Sequence, residues 1–248
     1  MQLAGQIAVV TGGSSGLGRR LALDLAAAGS TVVGIARRAE QLATLGTPYR
    51  VCDVGDVPAY VDTLRAVEAE YGRIDILLNV AGRGGALRSE GPALATTRDV
   101  FEVNFFAPYA GMVQVLPGMR ARGHGVIANM SSDDGRAPGP GAGDYSSSKA
   151  ALSAATESLA YEVRADGVAL HVVYPGWVPT EMGRAAVETG GMPMPPRVTR
   201  RTEEQVSALV LRRLGGPRVE INAAPVAVLA PVVRALAPRA YQRMRATR

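Results

Sequence analysis

Short apolar runs alternate along the chain with longer amphipathic stretches. The strand-like runs cover residues 7–10, 31–36, 49–52, 74–78, 126–130 and 168–173. Helical spacing between them predicts helices near 17–28, 57–71, 97–121 and 145–165. Several strands are apolar on both faces, the pattern of a parallel sheet covered by helices on each side. The strict β-α alternation predicts an α/β fold with a doubly wound, Rossmann-type parallel sheet and ligands at the carboxyl ends of the strands. One domain is expected over residues 1–248. Around residues 183–201 the pattern breaks into Gly, Pro, Met and Arg, which predicts a mobile substrate loop or lid. Arg218-Val219-Glu220-Ile221 reads as a last short strand. Residues 222–248 then form a C-terminal helical extension, in which Val226, Leu229, Val233 and Leu236 recur at helical spacing and Pro231 and Pro238 interrupt.

Composition bounds the function. With 248 residues and 47% hydrophobic content, the chain can bury one large core. The single cysteine, Cys52, excludes an internal disulfide, and His124 and His171 are too far apart in sequence to suggest a metal site. The N-terminus lacks signal-peptide character, and no run reaches the ~18 apolar residues that span a bilayer. A cytoplasmic protein is expected.

Charge is uneven. From Arg212 onward there are eight arginines and one acid, Glu220, so this stretch carries +7 of the formal +5 and the remainder about −2. That body offers nothing to a nucleic acid. The basic, apolar tail is expected to pack on the body or on a second subunit rather than on a membrane surface, since its helix is interrupted and its aromatic anchor is the single Tyr241.

Chemistry concentrates around Lys149, the only lysine; the other 26 of the 27 Lys and Arg residues are arginine. It stands four residues after Tyr145, so on a helix both side chains share one face. A phenol titrates near ~10 and is a poor acid or base at neutral pH. A neighbouring ammonium lowers that value, and an arginine fork is no substitute for a compact point charge. Upstream, Thr11-Gly12-Gly13-Ser14-Ser15-Gly16-Leu17-Gly18 follows a strand and opens a helix, the context in which a glycine-rich turn receives a pyrophosphate.

With its Gly-x3-Gly-x-Gly spacing, this turn resembles that of the classical short-chain dehydrogenase/reductase family, and the resemblance recurs in order over roughly residues 5–182. Asp53-Val54 is similar to the pair that contacts the adenine. Asn79-Val80-Ala81-Gly82 resembles the Asn-Asn-Ala-Gly turn, with Val80 replacing the second Asn. Asn104 matches the asparagine of the catalytic tetrad, and Ser132, thirteen residues before Tyr145, stands at the spacing of its serine. Pro175-Gly176-Trp177-Val178-Pro179-Thr180 matches the segment that holds the nicotinamide carboxamide. The resemblance implies a catalytic set of Asn104, Ser132, Tyr145 and Lys149. The implied dinucleotide site comprises Gly12, Ser14, Ser15, Gly16, Leu17, Gly18, Arg37, Arg38, Asp53, Val54, Asn79, Ala81, Gly82, Tyr145, Lys149, Pro175, Gly176, Val178 and Thr180, with no metal.

The roles have a physical basis. Hydride transfer to a carbonyl carbon develops an oxyanion that needs donors and a proton. Tyr145 supplies the proton, Lys149 lowers the phenol's pKa and reaches the nicotinamide ribose, Ser132 donates to the oxygen, and Asn104 anchors a relay water. Ser131 could take Ser132's place, but strand alternation turns it away. The second strand ends Ile35-Ala36 and continues Arg37-Arg38, with no acid before Glu40. A guanidinium there suits a 2′-phosphate, so NADP(H) is expected.

Asp133-Asp134 would favour a cationic or polyhydroxylated substrate if it faced the pocket, although a loop-capping pair is the simpler reading. Arg83 and Arg88, after the fourth strand, would favour an acidic one. The hints oppose each other and name no substrate. The function expected is NADPH-dependent reduction of a small-molecule carbonyl to an alcohol by a homodimer or homotetramer. Oxidation of an alcohol, or a non-catalytic dinucleotide-binding regulator, remain alternatives.

Overall fold

The computed structural model describes residues 2–84, 94–188 and 192–246. Seven strands form one parallel sheet: β1 (Ile7–Thr11), β2 (Thr31–Ala36), β3 (Tyr49–Val51), β4 (Ile76–Asn79), β5 (Gly125–Met130), β6 (Val168–Tyr174) and β7 (Glu220–Asn222). Their order is β3-β2-β1-β4-β5-β6-β7. The chain therefore reverses its winding between β1 and β4, which pair directly from Ala8↔Ile76 to Val10↔Leu78. The crevice above that reversal is where such sheets bind ligands.

The helices are α1 (Gly16–Ala27), α2 (Ala39–Ala43), α3 (Val57–Tyr71), α4 (Leu94–Phe101), α5 (Ala107–Arg122), α6 (Asp133–Arg136), α7 (Gly143–Val163), α8 (Glu181–Glu188), α9 (Glu203–Arg213), α10 (Leu229–Leu236) and α11 (Pro238–Ala246). Strand alternation divides the core into two layers. Val10, Leu78 and Ala128 face Leu17, Leu21 and Leu25 of α1 and Val206 and Val210 of α9. Val9, Val33, Leu77 and Ile127 face Tyr60 and Leu64 of α3, Met112 and Val115 of α5, and Ala160 of α7. Local signals set the helix ends: Asp56 caps α3 by accepting from the Ala59 N–H at 3.1 Å, and Gly72 closes it at φ 78°.

Three elements differ from the sequence expectation. The single helix expected over 97–121 is α4 and α5 joined by a π-helical turn over Glu102–Phe106. Within 183–201 the chain is helical from Glu181 to Glu188, and its far end is tied back by a 3.0 Å bond from the Trp177 N–H to the Thr199 carbonyl. The tail is helical, but its apolar stripe does not cover the body: Leu229 and Leu236 are 59% and 82% exposed.

A polar network crosses the second layer. Tyr60 Oη donates to Asn79 Oδ1 (2.8 Å), Asn79 Nδ2 to Asn129 Oδ1 (2.7 Å), and Asn129 Nδ2 to Thr156 Oγ1 (2.8 Å). Replacing Asn129 by Ala leaves buried Asn79 and Thr156 without their partner. We expect a loss of roughly 2–3 kcal/mol in the free energy of unfolding, checked by urea denaturation at unchanged m-value.

Candidate active site

The site is built on the turn between β1 and α1. Thr11 Oγ1 accepts the N–H groups of Val80 (3.0 Å) and Ala81 (3.1 Å), tying the end of β1 to the turn after β4. Gly12 has φ +73°, and a Cβ on it would lie 3.0 Å from the Ala81 nitrogen. A Cβ on Gly18 would lie 2.3 Å from the Gly12 carbonyl oxygen, so α1 rests directly on the turn. Gly16, at φ +55°, meets the Thr180 methyl, which closes the crevice from the β6 side. Gly176 also needs its positive φ of 72°.

These features fit a dinucleotide. Glycine backbone approaches closely, and the N-terminus of the twelve-residue α1 has no acid in its first turn and no side-chain cap from Ser15. Instead the Ser15 hydroxyl accepts from Arg38 Nη2 at 2.7 Å, and Ser14 lies 3.4 Å from the same guanidinium. Arg38 also pairs with Glu181 of α8 at 3.3 Å. Arg37 reaches Asp53 at 3.7 Å and is largely exposed. Of the two arginines, Arg38 is the one that meets the turn, at Ser14 and Ser15.

Other expected cofactor residues divide. Leu17, Val54 and Val178 bury their side chains in the core, which leaves their backbone to face a ligand. The Asn79 side chain is consumed by the buried network with Tyr60 and Asn129, so it too could contribute only its backbone.

Ser132, Tyr145, Lys149 and Asn104 gather at the ends of β4 and β5. Ser132 caps α6, its Oγ accepting the Asp134 N–H at 3.2 Å and keeping its own proton to donate. Tyr145 stands in the first turn of α7. Lys149 is 3% exposed, donates to the Met130 carbonyl at 2.8 Å, and lies 5.9 Å from the centroid of the Tyr145 ring. Asn104, fully buried in the π-turn, accepts the Arg83 N–H (2.8 Å) and donates to the Arg83 carbonyl (2.9 Å) and the Ser148 hydroxyl (3.1 Å). A Cβ on Gly82 would lie 3.5 Å from Asn104 Oδ1, 3.6 Å from Met182 Cε and 3.7 Å from Lys149 Nζ, so the three converge above that glycine.

The electrostatics correct one expectation. Lys149 does not pull the phenol below its ordinary range. Burial pushes Tyr145 up to about 12, with the Ser132 hydroxyl opposing and Asp134 and Asp133 adding to the rise. Burial pushes Lys149 down to about 8. Asp133 is also raised by burial, to about 6, against the pull of Arg136. Asp133 and Asp134 form the first turn of α6, and Arg83 pairs with Asp99 at 3.4 Å. Arg88 lies outside the described residues.

Several supporting residues escaped the sequence reading. Thr11 and the Met130 carbonyl carry no motif signal of their own. Ser131 Oγ donates to the Lys149 carbonyl (3.1 Å) and lies 2.7 Å from Ser153 Oγ, which also reaches that carbonyl (2.9 Å). The usable signal was Ser148, Ser153 and Thr156, small polar side chains that α7 buries.

Comparison with known proteins agrees with this geometry. The family model for short chain dehydrogenases matches residues 6–190. A short chain dehydrogenase of Pseudocercospora fijiensis is 41% identical over 194 residues, covering 73% of this chain and 62% of that relative, so the match spans under two thirds of its length. A 3-oxoacyl-[acyl-carrier-protein] reductase of Escherichia coli is 34% identical over 194 residues, 75% of this chain and 78% of the relative. Among solved structures, a variant of actinorhodin polyketide ketoreductase with NADPH superposes with a TM-score of 0.79 at 30% identity, covering 88% of this chain and 95% of that one. A Rossmann sheet with this glycine turn and this Tyr-Lys pair defines a nicotinamide-dependent oxidoreductase. More narrowly, the chain belongs to the short-chain dehydrogenase/reductase family.

The buried ammonium has a stability consequence. Lys149 holds a pKa of about 8 in the fold against 10.5 when solvated, so between those values the unfolded chain binds more protons than the folded one. Stability contributed at this position therefore rises as pH climbs through that window, and the full cost of the charge is carried below about 8. Lys149→Met should raise the Tm of the cofactor-free protein by roughly 5 °C at neutral pH. The gain should shrink towards pH 10.5, as followed by thermal denaturation across pH.

Proposed function

We propose that the protein reduces a ketone or other small carbonyl to an alcohol with NADPH, using Tyr145 as general acid. The observation that carries this reading is the gathering of Tyr145, Ser132, Lys149 and Asn104 at the ends of β4 and β5, with the Ser132 hydroxyl free to donate beside the phenol and the buried ammonium behind it. A phenol keeps its proton at neutral pH, the state in which it can act as the acid of a reduction, and burial here favours that neutral form further. The names of the E. coli relative and the polyketide ketoreductase, both reductases of keto groups, support the same direction.

Bound NADPH supplies a hydride to the carbonyl carbon. The chain's residues do the rest. Ser132 donates to the carbonyl oxygen and fixes its position. Tyr145 gives its proton to the oxyanion that develops as the C=O π bond breaks. The phenolate left behind is stabilised by the Lys149 ammonium and reprotonated from solvent. Asn104 holds the backbone of Arg83 above this point, and in this reading it orders the water through which the proton returns. Met182 on α8 lies over Gly82, so in this reading α8 forms part of the lid that excludes bulk water. Arg37 and Arg38, with Ser14, take the 2′-phosphate. The enzyme works in the cytoplasm as a homodimer or homotetramer.

Two outcomes test the reading. Tyr145→Phe should abolish turnover of a ketone panel, followed at the nicotinamide absorbance band, while NADPH affinity stays near wild type. Lys149→Arg should be severely impaired as well, and a rate near wild type for either variant contradicts the mechanism. Separately, kcat/KM should favour NADPH over NADH by about tenfold or more, since a charge-assisted contact to phosphate contributes ~1.5–3 kcal/mol. Arg37→Asp should remove or reverse that preference. Equal efficiency with both coenzymes in the wild type would exclude it.

A further inference from the structure

In the proposed reaction the carbonyl oxygen sits between Ser132 and Tyr145, so whatever fixes the chain after Ser132 fixes the geometry of the chemistry. That segment, α6 and the residues following it, is held from three directions. Gly135 lies against α7, where an added Cβ would come 3.0 Å from the Ala150 nitrogen. Arg136 reaches β7, donating to Asn222 Oδ1 (2.6 Å) and pairing with Glu220 (2.6 Å), with its guanidinium 3.1 Å over the Tyr174 ring. The third hold comes from the C-terminal helices. Arg234 Nη1 of α10 donates to the Arg136 carbonyl (3.0 Å), and Tyr241 Oη of α11 donates to the Pro138 carbonyl (3.1 Å).

The tail's burial pattern shows that this hold is specific. Residues 232–240 are all exposed, yet Tyr241 is 7% exposed. The apolar residues that would make the tail a core element, Leu229, Val232, Val233 and Leu236, face outward at 37–82% exposure. A helical pair that adds so little to the core, yet sends its one buried aromatic to the backbone six residues past Ser132, is built to grip that backbone.

We propose that Arg234 and Tyr241 are positioning residues, through which the C-terminal helices strap the α6 segment and hold Ser132 in register with Tyr145. The proposal rests on the carbonyl-reductase reading for its effect on catalysis, although the strap itself is a property of the fold. It places the control of substrate geometry in the part of the chain beyond residues 6–190, where the family model matches. The glycine-rich end of the coenzyme site, on β1, α1 and the 80–82 turn, is built from other elements than those the strap holds.

Hydrogen exchange and kinetics on the full-length chain test it, with Tyr241→Ala, Tyr241→Phe, Arg234→Ala and Arg234→Lys compared with wild type. Exchange of the peptide covering 133–142 should speed up by about tenfold in Tyr241→Ala, while peptides from β1 and α1 do not change. With ethyl acetoacetate and NADPH as probes, loss of one hydrogen bond should raise the ketone KM by about three- to tenfold in Tyr241→Phe and Arg234→Ala. NADPH affinity should hold, and Arg234→Lys, which keeps a donor, should recover most of the loss. Unchanged exchange over 133–142 overturns the strap, whatever the kinetics show. Faster exchange with an unchanged ketone KM overturns the positioning role and leaves a purely structural contact. A wild type inactive on ketones, with exchange responding as expected, instead refutes the functional reading while the strap stands.

Discussion

One buried charge organises this molecule. Lys149 places an ammonium at 3% exposure with the Met130 carbonyl as acceptor, in a chain that elsewhere uses arginine for its positive charge. Desolvating such a group is costly, and the surroundings are arranged to keep it there. Ser131 and Ser153 both engage the Lys149 carbonyl, locking α7 to the end of β5. Thr156, one turn further, receives Asn129, which is linked through Asn79 to Tyr60 of α3. The polar ladder that fixes the position of Lys149 thus also ties β4, β5, α3 and α7 together. Fold and site share one set of hydrogen bonds.

That sharing explains what was legible in the sequence. The inner strands declare themselves because both their faces are buried and their runs are mostly apolar, and every expected strand, the exposed edges β3 and β7 included, is present within a residue or two at each end. The glycines of the first turn are legible because steric limits admit nothing else: Gly18 cannot carry a Cβ against the Gly12 carbonyl. The π-turn around Asn104 left no trace, since its apolar positions continue the helical spacing of α4 and α5 and one extra residue per turn has no pattern of its own. At Asn79 the motif gives identity without direction: its amide points into the core, which leaves only its backbone to meet a ligand. The acidity of Tyr145 was misjudged for a similar reason. Spacing on a helix brings Lys149 to the same face, but it does not reveal that burial outweighs the nearby charge.

The coenzyme end shows the same limit at finer grain. The absence of an acid after β2 is plain in Ile35-Ala36-Arg37-Arg38, and it is why a phosphate is expected there. Which arginine does what is a matter of geometry. Arg37 turns towards Asp53, whereas Arg38 reaches over the glycine turn to Ser14 and Ser15 and onward to Glu181 of α8. A guanidinium has enough donors to serve several acceptors at once. Arg38 therefore links the glycine turn to α8 across the crevice.

The C-terminal helices turn the amphipathic argument around. Periodicity at Leu229, Val233 and Leu236 predicts a face that seeks cover, and on a helix packed against its own domain that face would point inward. Here it points out, while the polar contacts of Arg234 and Tyr241 point in. That stripe therefore does not seat the tail on the body; among the described residues, the one large tail side chain that is buried is Tyr241. Its polar attachment includes two hydrogen bonds to backbone carbonyls of the Ser132 loop, each modest alone. The loop those bonds reach is the one that carries the proposed catalytic serine, so the polar side of the tail, not its apolar stripe, is what meets the candidate site.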